Sequence, residues 1–369
     1  MGLEVGSSRI LQQKIKELED ELSKTKYNKR TQNAIGLLKA KIANLKEKAE
    51  QKAKKGGPLY GFAVKKTGDA TVIFVGFPSV GKSTLLNKLT NAQSEVAHYA
   101  FTTLTVIPGV MDYRNLKIQL LDVPGILEGA ADGTGRGKEV ISMIRNADLC
   151  LIIFECSRPE EIEVIKAEVY RSGVRMNEHP PDVKITKMER GGIVIGSTVR
   201  LTKISEQLIK EILQEFRIMN AHILIREDLT AERLIDVIRQ NCKYLPGIIV
   251  GNKVDMITAE ERGALIGHCD IMISARSGLH LEELREMIFQ RLNFIRIFCK
   301  EAGKKADREI PLILKKGSTI EDVCIKLHRD FVSRFKLARV WGRSAKFPGQ
   351  QHGLSHTLQD EDIVELHLR

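Results

Sequence analysis

Aromatic residues make up only 5% of the 369-residue chain, with a single tryptophan, so the ring platform on which single-strand nucleic-acid binders stack bases is missing. The six cysteines (Cys150, Cys156, Cys242, Cys269, Cys299 and Cys324) form no Cys-x-x-Cys pair and accompany no histidine cluster at ligand spacing. Neither a disulfide framework nor a zinc site is expected from them. No apolar stretch is long and charge-free enough to cross a bilayer, and Met1-Gly2-Leu3-Glu4-Val5 does not open a signal peptide. A cytoplasmic, reducing setting without membrane contact is the expectation.

Charge is plentiful and unevenly spread. Of a formal net +11, residues 1–55 hold 14 Lys and Arg against 7 Asp and Glu, residues 296–369 hold 15 against 10, and the stretch between is close to neutral. Basic flanks around a neutral centre fit a chemical core with appendages that meet a polyanion, RNA rather than DNA; a solvated lysine-rich helix face accounts for the same count.

Leu11, Ile15, Leu18 and Leu22 recur at helical spacing, and Ile35, Leu38, Ile42 and Leu45 repeat the pattern after a polar break, which predicts a helical hairpin turning near residues 28–33. Lys52 to Pro58 reads as a linker. Short apolar runs at residues 71–75, 117–121, 149–154, 248–250 and 271–273 then alternate with helical stretches. Such continuous runs suit strands buried on both faces of a parallel sheet covered by helices. The alternation is interrupted between about residues 171 and 241, where a Gly191-Gly192 turn, a β-like run at 193–201, a helix at 206–216, an apolar run at 221–225 and a helix from Ala231 make up a small α+β insertion. From residue 296 a strand at 310–314, a helix capped by Ser318 or Thr319 with Ile320, Val323, Leu327 and Phe331 on its apolar face, and a strand at 362–368 make a last α+β module. The expected parts are a hairpin (1–55), an α/β domain in two pieces (56–170 and 242–294), the insertion (171–241) and the module (295–369).

The first run leads into Gly76-Phe77-Pro78-Ser79-Val80-Gly81-Lys82-Ser83, with Thr84 continuing into a helix, the spacing G-x-x-x-x-G-K-S. A phosphate chain needs this arrangement: glycines let backbone N–H groups converge at a helix N-terminus, Lys82 reaches the β- and γ-phosphates, and Ser83 ligates Mg²⁺. The run at 117–121 ends in Asp122-Val123-Pro124-Gly125, where Asp122 holds Mg²⁺ and the Gly125 N–H senses the γ-phosphate; a plain strand-to-turn Asp-x-Pro-Gly reads the same way. After residues 248–250 comes Asn252-Lys253-Val254-Asp255, in which Asp255 accepts from the guanine N1–H and exocyclic amine, bonds that adenine does not offer. Ser274-Ala275, after the run at 271–273, falls where a backbone N–H meets the guanine O6. These four elements, each at a strand end, point to GTP and GDP.

These residues, with Tyr99-Ala100-Phe101-Thr102-Thr103-Leu104-Thr105, Pro108-Gly109-Val110, Ile126-Leu127-Glu128-Gly129-Ala130, Val340-Trp341-Gly342 and Asp360-Glu361-Asp362, make the sequence similar to the Obg-type GTPases, within them to the developmentally regulated GTP-binding protein family. The resemblance covers essentially the whole chain. It implies a helical hairpin, a P-loop GTPase domain, an inserted domain resembling the second domain of ribosomal protein S5, and a C-terminal β-grasp TGS domain. It further implies Thr103 as a Mg²⁺ ligand and catalytic residue with Lys82 and Gly125, a ribosome or ribosomal RNA as partner in translation, and a dedicated regulatory protein as a second partner. Without the resemblance, Thr102 and Thr103 have an alternative reading as ordinary β-prone loop residues.

Ras-like enzymes carry a water-orienting Gln after D-x-x-G, yet here Ile126 stands there, with no polar side-chain atom. Slow intrinsic hydrolysis is the expectation. The missing group comes from elsewhere in the chain, from a partner, or from a monovalent cation such as K⁺ beside Mg²⁺; some relatives bind K⁺ through a phosphate-loop Asn whose position holds Ser79. The stretch from Gly125 to Gly137 is rich in glycine (Gly129, Gly133, Gly135) and suits a segment ordering on the γ-phosphate; Arg136 within it and Lys138 just after it are cationic candidates or plain surface charge. A GTP-binding assembly scaffold with little hydrolysis is the competing reading.

Overall fold

The computed structural model describes residues 2–54 except 27, 29 and 30, residues 68–90 and 107–122, and residues 146–369 except 302, 305 and 307. It divides into two units: Met1–Gly61 with Glu178–Tyr244, and Phe62–Asn177 with Leu245–Arg369. Among the described residues no helix is long and apolar enough to cross a membrane.

In the first unit, α1 (Gly2–Lys24) and α2 (Gln32–Lys54) pack as a hairpin. Asn28 sets the turn: its side chain accepts from Thr31 N–H at 2.9 Å and its carbonyl from Gln32 N–H at 3.0 Å. Leu11, Ile15, Leu18 and Leu22 are half-buried, and Ile35, Leu38 and Ile42 fully so. The other flank of α2 carries small residues. A Cβ at Gly36 would lie 2.8 Å from Leu208 Cδ2, and Ala40 and Ala43 belong to the core of the inserted domain. Asn44 donates to Glu215 O at 2.7 Å, and Lys39 pairs with Glu232. The hairpin therefore shares one core with the insertion, and the stripe Gly36, Ala40, Ala43 is the signal that a search for large apolar seams passes over.

Three strands follow in this unit, β6 (Val183–Lys187), β7 (Ile193–Ser197) and β8 (Ala221–Ile225), in the order β6-β8-β7. Helices α5 (Glu206–Glu215) and α6 (Ala231–Arg239), capped by Ser205 and Thr230, bury Leu208, Ile209, Ile212, Leu213 and Leu234 against the sheet. The run expected to reach residue 201 stops at Ser197, whose hydroxyl turns back to Val199 O at 2.6 Å. Strand β6 was not expected; the signal is alternation of half-buried Val183 and Ile185 with exposed Lys184 and Thr186.

The second unit holds a six-stranded sheet in the order β11-β10-β4-β1-β3-β2: β1 (Ala70–Val75), β2 (Ile107–Tyr113), β3 (Leu116–Asp122), β4 (Leu149–Glu155), β10 (Gly247–Asn252) and β11 (Ile271–Met272). All pairings are parallel except that of edge strand β2 with β3. One face packs on α3 (Lys82–Leu89) and α8 (Leu281–Leu292) through Leu85, Leu86, Leu284 and Ile288. The opposite face packs on α4 (Glu161–Arg171) through Ile162, Ile165 and Val169. Two covered faces are why these strands read as unbroken apolar runs. The chain leaves β1 toward β3 and then crosses to β4 on its other side, so the carboxyl end of β1 is a topological switch point, where open α/β sheets bind ligands.

The C-terminal module is a five-stranded sheet, β13 (Leu312–Lys315), β12 (Phe294–Lys300), β16 (Ile363–Leu368), β14 (Phe335–Trp341) and β15 (Gln350–His352), under α9 (Ile320–Leu327). The Asp322 carboxylate accepts from Thr319 N–H at 2.8 Å, fixing the start of α9. The expected apolar face of this helix breaks after Val323. Leu327 is 41% exposed, the chain becomes extended at His328, and Phe331 lies on a separate short helix α10 (Asp330–Arg334).

Candidate functional site

Sheet register gathers the sequence motifs. The ladders pair Phe74 with Asp122, Val75 with Ile152 and Asn252 with Glu155, so the segments after β1, β3, β4 and β10 emerge at one end of the sheet.

Gly76 leaves β1 hard against β4, where a Cβ would sit 2.2 Å from Ile153 O. Phe77 is half-buried, Pro78 and Ser79 are exposed, and Val80 is buried. Ser79 (φ 64°) and Gly81 (φ 97°) take left-handed backbone, which folds the loop over the start of α3. No side chain caps that helix, so its first N–H groups are left for a ligand, the setting in which anions bind. Lys82 folds back to donate to Gly76 O and Phe77 O, both at 2.9 Å. Burial pulls its pKa below the ordinary lysine value, and Asp122 opposes that pull.

Exposed Ser83 donates to Asp122 Oδ2 at 2.8 Å, while Thr84 faces outward beside it. Asp122 is 5% exposed and its Oδ1 has no hydrogen-bond partner among the described residues. A hydroxyl beside a half-satisfied buried carboxylate is a donor set that fits a hard cation such as Mg²⁺.

At the other end of the cleft, Asn252 is 2% exposed and both ends of its amide are engaged. Nδ2 donates to Val80 O at 2.8 Å, and Oδ1 accepts from Ala275 N–H at 3.0 Å. Asn252 is thus a strut that ties the phosphate loop to the segment after β11. The backbone N–H groups of Ala275 and Ser274 are both engaged within the chain, the latter with Leu279 O at 3.2 Å, so a guanine O6 contact there would have to replace one of these bonds. Lys253 takes left-handed backbone (φ 62°) and its Nζ lies 2.8 Å from Glu155 Oε2. Asp255 is exposed, and a hydrogen bond from buried Ser274 holds its carboxyl below the usual carboxylate range. Glu155 was missed in the sequence. Its signal is a carboxylate closing a strand otherwise made of apolar residues and cysteine. Thr102, Thr103, Val123, Pro124, Gly125, Ile126, Arg136 and Lys138 lie outside the described residues.

Residues 71–187 match the family described as 50S ribosome-binding GTPase, residues 190–294 the C-terminal region of MMR_HSR1 domain, and residues 295–368 the TGS domain. The chain is 50% identical to an uncharacterized GTP-binding protein of Methanocaldococcus jannaschii, over 98% of this chain and 94% of the relative. It is 46% identical to developmentally-regulated G-protein 3 of Arabidopsis thaliana and 43% to developmentally-regulated GTP-binding protein 2 of Homo sapiens, in both cases over 96% of this chain and 98% of the relative.

The chain belongs to the developmentally regulated GTP-binding protein family. Its six-stranded sheet is the frame of a P-loop GTPase domain, and the five-stranded module is its TGS domain. As a member of this family it is a GTP-binding protein and a GTPase.

Proposed function

We propose that GTP and Mg²⁺ bind at the carboxyl ends of β1, β3 and β10, that GTP is hydrolysed there to GDP and phosphate, and that the cycle serves as a switch in cytoplasmic translation through contact with the ribosome or its RNA. The observation that carries this reading is the Asn252 strut, which makes the phosphate loop and the base-reading segment one frame.

Within that frame the α3 amides and Lys82 hold the phosphates, Lys82 exchanging its bonds to Gly76 O and Phe77 O for phosphate oxygens. Ser83 and Asp122 hold Mg²⁺, with Thr103 as a further ligand; the ion supplies neutralisation of charge on the β- and γ-oxygens. Gly125 senses the γ-phosphate through its N–H. Asp255 accepts from the guanine edge, and Lys253 packs its stem beside the base.

Phosphoryl transfer is mostly positioning and charge stabilisation, and Ile126 supplies neither, so the rate depends on what another residue of the chain, a partner or K⁺ adds. The description of the matched GTPase family and the net positive charge of residues 1–55 and 296–369 support a ribosomal or RNA contact. A family regulatory protein is a second proposed partner, on the family resemblance alone.

The test is single-turnover hydrolysis of Mg·GTP by the full chain in potassium and in sodium buffer, each with and without ribosomes. A rate that rises with ribosomes and falls back as salt is raised is the expected result. A rate near zero in every condition overturns the switch reading in favour of a GTP-binding scaffold.

A further inference from the structure

One half-buried carboxylate at the base end of the site has no part in the roles assigned so far. Glu155 ends β4, paired across the parallel ladder with Asn252, and the next residue locks that register: Cys156 N–H donates to Asn252 O at 3.0 Å. The Glu155 carboxylate accepts from three side chains. Lys253 Nζ lies at 2.8 Å and Arg158 Nη2 at 2.6 Å from Oε2, and Ser157 Oγ at 3.0 Å from Oε1. Its side chain is only 13% exposed, and Arg158 is held from behind by Glu161 at 2.9 Å. Bonds from Lys253 and then Arg158 pull the Glu155 pKa down to about 2, so it stays ionised throughout the neutral range.

Lys253 needs such an anchor. It is a non-glycine residue in left-handed backbone, a conformation that costs free energy, and its long stem is free to wander unless its end is tied. The same turn leads directly into Asp255. A partly buried ion pair with the carboxylate fixed by sheet register holds the ammonium in one place, which an exposed pair on flexible side chains does not.

We propose that Glu155 is a positioning residue for guanine nucleotide: it fixes Lys253, and through it the turn that presents Asp255, so that the base end of the cleft is built before nucleotide arrives. The inference rests on the guanine reading of Asn252 to Asp255. Preorganisation of this kind strengthens binding without touching the reacting phosphate. The loss on removing it falls on KM rather than on kcat.

The test is a double-mutant cycle in GDP affinity on the full chain, using Glu155→Gln, Lys253→Met and the pair. Each single substitution is expected to raise Kd by about tenfold, the value of one charge-assisted bond, and the double variant to be no worse than the worse single. Glu155→Asp keeps the charge at the same register and is expected to recover most of the loss. Losses that multiply, an unchanged Kd for Glu155→Gln, or failure of Glu155→Asp to recover affinity overturn the proposal. Asp255→Asn separates this outcome from failure of the guanine reading. If that variant does not shift preference from GDP to xanthosine diphosphate, the reading of the motif fails and the Glu155 role fails with it. If it does shift and the cycle is additive, only the Glu155 role fails.

Discussion

The two ends of the cleft are built from different material. At the phosphate end the backbone does the holding: Gly76 passes under Ile153 O, Ser79 and Gly81 turn left-handed, α3 starts without a side-chain cap, and Lys82 is parked on two loop carbonyls. At the base end side chains do it, through Asn252 to two loops, Lys253 to Glu155, and Ser274 to Asp255. The difference follows the ligand. Phosphates are alike on every nucleotide and are met by repeated N–H groups, whereas one base is told from another only by individually placed donors and acceptors.

The largest effect is expected from Lys82→Ala, which removes the cationic side chain that the phosphate loop itself carries. Single-turnover hydrolysis should fall by about a thousandfold or more while the preference for GDP over ADP is kept. A change in base preference would mean that the two ends are not separable in this way.

Gly81→Ala is the substitution that should break the separation. A Cβ there would lie 2.3 Å from Asn252 Nδ2, on backbone that disfavours any side chain, so the strut must move. A phosphate-loop change should then weaken GDP binding by about a hundredfold and erode base preference too, with a stability loss of about 1–2 kcal/mol seen in thermal melts. Loss of hydrolysis with intact base preference would show that Asn252 is not the link. Ser274→Ala, confined to the base end, should cost less than about tenfold in GDP affinity and leave the rate at saturating GTP alone.

The smallest effect, and the sharpest separation, is in pH. Burial lowers the Lys82 pKa, so the folded chain binds fewer protons there than the unfolded chain as pH approaches 10.5 from below, and the phosphate end loses its cation on the alkaline side. The Asp255 and Glu155 pKa values are lowered too, but for a carboxylate that favours the charged form. Their contribution is complete above the ordinary carboxylate pKa and is lost only as pH falls below it, for Glu155 toward about 2. GDP affinity measured across pH should therefore hold flat from neutral to about pH 5 and fall on the alkaline side. Lys82→Arg should remove the alkaline fall, and its persistence would assign that limb to another group.

Much of this was legible in the chain. The strands at 70–75, 149–155 and 247–252 announce themselves because both of their faces are covered, so apolar residues follow one another without a break. The phosphate loop is legible because its function is local: strand, eight residues and helix are contiguous, and the spacing of Gly76, Gly81, Lys82 and Ser83 is itself the device. The helical hairpin was legible as a hairpin, but not as part of another core, because Gly36, Ala40 and Ala43 carry no apolar bulk to signal a contact. Nor did the C-terminal helix show where it stops, since the apolar periodicity runs on from Leu327 to Phe331 although the backbone turns extended at His328.

What the sequence by itself determined is the chemistry available: a phosphate loop, a carboxylate at a strand end and a guanine-type motif, each a matter of neighbours along the chain. What only the tertiary structure decided is which of those groups are already engaged. Asn252 is a strut, the Ala275 N–H is occupied, Asp122 keeps one oxygen unmatched among the described residues, and Glu155 meets Lys253 across a gap of 98 residues. The reason is that these pairings are set by the register of parallel strands, and parallel register is fixed by side chains packed on both faces of the sheet, which no stretch of sequence contains on its own.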